Sequence, residues 1–226
     1  MRMVIRSIPA AALALCLTAA HLTAQQPGSG NFQWYLGAQG GVLSFDTPSQ
    51  DRTEIPSFGG QALIVAKRAG LMLSYEEGVG SDETSSYTDA NGVQNVTFNN
   101  IRKYQAVLMA FPFRAAAQPY LGLGYGIIHV VNPTPTSPAA FQSDAVELGS
   151  SGFMTFVGGL TIQVGRLMAF GQYEVTTSPS SHAVTDGSGT VVASGQLLVG
   201  PTHTVAAGLR IGLGSSKDGS RSAGGY

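Results

Sequence analysis

The chain has 226 residues, enough for one domain or two small ones, and carries 43% apolar residues, 11% charged residues and a formal net charge of −1. Charged residues make up about 25% of ordinary soluble proteins, so this chain has little charged surface to offer water, and its mean hydropathy is positive at +0.13. No basic patch points to nucleic acid, and one cysteine, Cys16, leaves no disulfide framework to staple a small scaffold.

Residues 1–24 have the layout of a secretory signal peptide. Arg2 and Arg6 supply a positive start, and an apolar stretch from Ile8 to Ala20 follows, interrupted only by Pro9 and Thr18. That stretch is too short to cross a bilayer as a helix. Cleavage is expected after Ala24, with Ala20 the other candidate. It would remove Cys16, Arg2 and Arg6, leaving 10 basic and 13 acidic residues, a net charge of −3. Residues 25–31 read as a short linker.

Beyond the linker the apolar period is two, the period of a strand. Eight alternating segments are expected at 32–46, 56–67, 71–80, 98–111, 119–131, 153–164, 167–177 and 203–213. No convincing helical period intervenes. The connections alternate in length. Those at 47–55, 81–97, 132–152 and 178–202 are long and polar; those at 67–70, 112–118 and 165–166 are short. Ten-residue strands with long loops at one end and short turns at the other describe a closed antiparallel eight-stranded transmembrane β-barrel over 32–213. An even strand number is expected to put both chain termini on the short-turn side, the periplasm. Residues 214–226 read as a flexible tail.

Parity sorts the side chains. In PYLGLGYGII at 119–128, Leu121, Leu123, Tyr125 and Ile127 share the apolar face, while Gly122, Gly124 and Gly126 share the other. An eight-stranded lumen is only wide enough for side chains to fill, so inward glycines make room for large neighbours. The same glycines are not a phosphate loop: the spacing is G-x-G-x-G and no helix follows. Four ionisable residues also fall on inward parity: Glu76, Lys103, Glu174 and Arg210. Charges in a narrow lumen must pair or stay hydrated, and neighbouring strands offer Glu76 with Lys103 and Glu174 with Arg210. Trp34, Phe58, Tyr104, Phe156 and Tyr173 fall on apolar faces toward strand ends, as interfacial aromatic belts require. A lipocalin-like soluble barrel, the alternative fold, would carry its apolar face inside.

The layout resembles that of the small eight-stranded outer-membrane barrels, the OmpA-like and OmpX-like group. The local echoes are PYLGLGYG at 119–126, LMAFGQYEV at 167–175 and HTVAAGLRIGL at 203–213. The resemblance implies a place in the bacterial outer membrane and contact with its lipids and lipopolysaccharide. It also implies insertion by the outer-membrane assembly machinery. Two departures stand out. The last expected strand ends at Leu213 and not at a terminal aromatic residue, and the chain stops too soon for a peptidoglycan-binding domain.

Catalytic, cofactor and metal sites are not expected. The histidines beyond the signal peptide, His129, His182 and His203, form no cluster of metal-ligand spacing, and no compact nucleophile–base signature lies on the strands. The expected role is therefore a non-enzymatic outer-membrane protein, structural or binding an extracellular partner through its loops. A lipid A-modifying enzyme and a small-conductance pore are the competing functions.

Overall fold

The structure, a computed structural model, describes residues 32–113, 117–137 and 142–216. The signal peptide and linker expected over 1–31 lie outside these residues, as does the tail beyond 216. Among the described residues eleven strands are formed: β1 Phe32–Thr47, β2 Gln50–Ala66, β3 Ala69–Asp89, β4 Gly92–Ala110, β5 Ala117–Val131, β6 Thr134–Pro135, β7 Ser150–Val164, β8 Leu167–Thr176, β9 His182–Thr185, β10 Val191–Gly195 and β11 Val199–Ser216. Among the described residues one helix, α1, is formed, over Gln142–Leu148.

Eight of the strands close a barrel. Each pairs antiparallel with the next, from β1 through β2, β3, β4, β5, β7 and β8 to β11, and β11 returns to β1. Closure removes the unpaired edges that a bilayer does not tolerate. Following cross-strand partners from Trp34 leads through Ile64, Leu71, Leu108, Leu123, Phe156, Val175 and His203 back to β1 at Ser44, ten residues on. That stagger accompanies tilted strands, and tilt is what lets a twisted sheet close.

Two turns at the end nearest Phe32 and Ser216 are two-residue hairpins. Lys67–Arg68 joins Ala66 to its partner Ala69, and Gly165–Arg166 joins Val164 to Leu167. Lys67 and Gly165 have φ of 55° and 62°, the left-handed first position that matches strand twist in short hairpins.

The other end differs from the sequence expectation. The stretches at 47–55 and 81–97 are mostly strand, not loop. β1 and β2 meet at a turn across Pro48 and Ser49, and β3 and β4 run on to a turn at 90–91. Ser, Thr and Asn serve a solvated strand as well as a loop, and every second residue here is covered: Ser85, Tyr87, Val96 and Phe98 are buried. Four further elements build on this extension. β10 pairs with β3 and with β9, β6 pairs with β4, and α1 lies in the β5–β7 connection. At seven residues, α1 is too short to impress a helical period on the sequence. The last strand also runs to Ser216, three residues past Leu213.

The barrel is inside out relative to a soluble one. Leu108 on the outer wall is 71% exposed, while inward Lys103 and Arg210 are 1% and 0% exposed. An apolar wall of this extent is stable only against lipid or another apolar surface, which sets aside the lipocalin-like reading.

The lumen is layered. Inward residues of β4 run Ile101, Lys103, Gln105, Val107 and Met109, so one strand passes from apolar to polar and back to apolar. Tyr35, Gln39 and Leu43 repeat the sequence on β1. Two apolar clusters result, one at each end, with a polar layer between them.

Candidate functional site

The polar layer centres on Lys103. Its Nζ lies 2.7 Å from Glu76 Oε2 and 2.7 Å from Glu174 Oε1, and it donates to Thr204 Oγ1 at 2.8 Å. An ammonium has three N–H bonds, and all three have an acceptor. Gln105 Nε2 donates to the other oxygen of Glu174 at 2.6 Å. Glu76 and Lys103 face each other directly across β3 and β4; Glu174 reaches Lys103 across the lumen from β8.

The expected Glu174–Arg210 pair is not formed. In the β8–β11 register Glu174 opposes Thr204, whereas Arg210 opposes Met168. Six residues of strand separate those levels, about 20 Å along β8. Arg210 lies within the apolar layer near the tight turns and has no carboxylate partner. Its Nε and Nη2 donate to Gln61 Oε1 at 2.9 and 2.5 Å. Its other contacts are the sulfurs of Met168 and Met72, at 3.7 and 3.8 Å. The guanidinium carbon sits 3.9 Å from the Phe170 ring centroid and 5.8 Å from that of Tyr120, where ring faces attract a desolvated cation. A glutamine chain continues from it. Gln61 Nε2 donates to Gln39 Oε1 at 2.8 Å, Gln172 Nε2 donates to the same oxygen at 3.3 Å, and Tyr120 donates to Gln172 Oε1 at 3.1 Å. Nothing in the sequence pattern marked these glutamines beyond their inward parity.

Gly122, Gly124 and Gly126 line the lumen where β5 passes close to bulky neighbours. A Cβ on Gly122 would stand 2.6 Å from Val107 Cγ1, one on Gly126 2.5 Å from Phe153 Cζ, and one on Gly124 would press on the Ala106 carbonyl. Side chains fill the space these glycines leave.

On the outer wall Phe58, Tyr104, Phe156 and Tyr173 lie toward the loop end, and Trp34 lies toward the tight-turn end; all five are exposed. Tyr75 and Tyr125 join the upper belt, with the Tyr75 and Tyr104 rings 5.2 Å apart. Polar residues mark the rim above it. Arg102 Nε meets Glu77 Oε1 at 3.2 Å, Asn100 Nδ2 donates to the same oxygen at 2.8 Å, and Tyr75 donates to Glu77 Oε2. His129 Nδ1 is 2.6 Å from Ser150 Oγ, and His203 Nδ1 is 2.6 Å from Tyr173 Oη, the two rings stacked. Among the described residues no three His, Cys, Asp or Glu side chains converge on a possible metal position.

At the loop end the mouth is closed. Ala145 and Leu148 of α1, Val184 of β9, Ala193 of β10, and Leu197 and Leu198 pack into the apolar cluster below them. Ser85 Oγ donates to the Leu197 carbonyl at 2.7 Å, tying this cap to β3.

No protein-family model matches the chain, and no curated protein matches it by sequence. Its fold does match solved structures. Neisserial surface protein A (NspA) aligns with 10% identity and a TM-score of 0.51, covering 79% of this chain and 96% of that one. The outer membrane protein OprG from Pseudomonas aeruginosa aligns with 12% identity and a TM-score of 0.50, covering 84% and 99%. The fold is that of the small eight-stranded outer-membrane barrels.

Proposed function

We propose that the protein is a non-enzymatic component of the bacterial outer membrane whose folded loop end binds a partner at the cell surface. The observation that carries this reading is the filled barrel. A buried ionic layer lies between two apolar layers, and α1, β9 and β10 seal the mouth. Such a lumen offers no aqueous path of porin size. The chain instead elaborates its loop end into a sheet and helix on a rigid scaffold, where recognition commonly resides. The outward apolar wall, its aromatic belts and the fold shared with NspA and OprG support the membrane placement. Replacing 179–198 by a short Gly-Ser turn tests the binding role in cells displaying the protein. The barrel should still show a heat-dependent shift on gel electrophoresis, while adhesion of the cells to partner surfaces is lost. Adhesion unchanged by the replacement would contradict it.

One observation favours an enzymatic reading. Ser150 Oγ and His129 Nδ1 form a close hydroxyl–imidazole pair on the outer rim. A working nucleophile also needs an orienting group and oxyanion donors. Incubation with lipopolysaccharide followed by mass measurement of its lipid A decides between the readings. Turnover that disappears in Ser150→Ala and His129→Ala would establish the enzyme; unchanged lipid masses fit the non-enzymatic role.

A further inference from the structure

The charges are segregated along the barrel axis. Among the described residues, Asp46, Asp51, Glu54, Asp82, Asp144 and Asp186 are some of the carboxylates at the loop end, which holds only Arg52 and Arg102 as Lys or Arg. The tight-turn end has the opposite sign. Lys67, Arg68 and Arg166 occupy its two hairpin turns, and no described acid lies there. All three side chains are exposed, and none has a carboxylate of the described residues within 4.0 Å. The turns are fixed in place. Phe111 N–H donates to the Arg68 carbonyl at 2.8 Å, and Gly212 N–H donates to the Arg166 carbonyl at 2.7 Å, so each turn is tied to the strand beside it. Below the apolar wall, three exposed cations, unpaired among the described residues, therefore stand on turns tied to neighbouring strands at the level where a bilayer presents its headgroups.

We propose that Lys67, Arg68 and Arg166 form a binding surface for anionic phospholipid headgroups on the leaflet that the tight turns face. The inference rests on the membrane-spanning reading and is independent of what the loop end binds. Anionic lipid attracts basic residues held near the membrane surface, and the attraction is screened within a Debye length. Two hairpins on different sides of the barrel, β2–β3 and β7–β8, spread these cations around its rim, so several lipids are engaged at once and no single pocket is needed.

The chain carries its own reporter. Trp34 is its only tryptophan and is exposed on the outer wall. It pairs with Ile64, three residues before Lys67, so it lies about 10 Å up the wall from the turn. The full chain is reconstituted in vesicles of phosphatidylcholine with phosphatidylglycerol, one or the other brominated on its acyl chains at equal mole fraction. Brominated phosphatidylglycerol should quench Trp34 as though enriched about fivefold at the wall. The enrichment should fall toward one at 0.5 M salt, and also in the triple variant Lys67→Asn, Arg68→Gln, Arg166→Gln. Asparagine tolerates the left-handed turn position, and the heat-dependent gel shift confirms that the variant folds. Equal quenching by both brominated lipids, indifferent to salt, would overturn the proposal and leave the membrane reading intact. Absence of quenching by either lipid would overturn the membrane reading and the proposal with it.

Discussion

Lys103 and Arg210 are both buried cations, but they are held in opposite ways. Lys103 spends each N–H on an acceptor, two of them carboxylates; Arg210 relies on an amide, two thioethers and an aromatic face. Removing one member of a buried ion pair typically costs about 3–5 kcal/mol, because the other charge is left stranded. Lys103→Met strands two carboxylates, so it should cost at least that much in urea unfolding of the lipid-reconstituted protein. Arg210→Met removes a charge that no acid balances, and should cost less. A double-mutant cycle sharpens the assignment. Lys103 and Glu174 should couple by more than about 1 kcal/mol, whereas Arg210 and Glu174 should be additive within about 0.5 kcal/mol. The glycines divide the same way. Gly124→Val should block formation of the heat-modifiable barrel, since even a Cβ there presses on the Ala106 carbonyl. Gly171→Ala should fold normally, since a Cβ there meets nothing within 4 Å. Which side chains enter the lumen was legible in the sequence, because parity alone decides it. Their partners were not. Sliding a strand by two residues keeps every side chain on its face but moves it to another level, so Arg210 reads as inward without revealing that it opposes Met168.

At the scale of elements, the tight turns were legible and the loop end was not. KRAG at 67–70 and Gly165–Arg166 announce themselves by residue type and brevity. The stretch at 81–97 is rich in Ser, Thr and Asn, a composition shared by loops and solvated strands. The signal that it held was Asn91–Gly92, with Gly92, the first residue of β4, at φ 104° just past the turn at 90–91. The β9–β10 hairpin is likewise built on one polar residue. Asp186 Oδ1 accepts from the Ser188 hydroxyl at 2.6 Å, from Ser188 N–H at 2.8 Å and from Thr190 N–H at 3.0 Å. These bonds, the Ser188 hydroxyl foremost, hold the carboxyl below its ordinary value. A depressed carboxyl favours the folded turn above the ordinary carboxylate range and loses that contribution as pH falls through the folded-state value. A chemical-shift titration should therefore place the Asp186 midpoint below that of a free carboxylate, with Thr190 amide protection lost over the same window. A midpoint at or above the free value would contradict the turn geometry.

For the whole molecule, the decisive property is that buried side chains occupy the lumen in successive layers. Eight strands leave a bore that side chains fill. Here they fill it as an apolar layer, an ionic layer and a second apolar layer, with the loop-end elements packed above. The outer wall is apolar, and among the described residues the two ends of the barrel differ in sign and in elaboration. Planar-bilayer recording of the folded, reconstituted protein tests this most directly. A filled and capped lumen predicts a baseline without stable conductance steps at either polarity. Reproducible, long-lived steps of porin size would contradict it and return the protein to the class of pores.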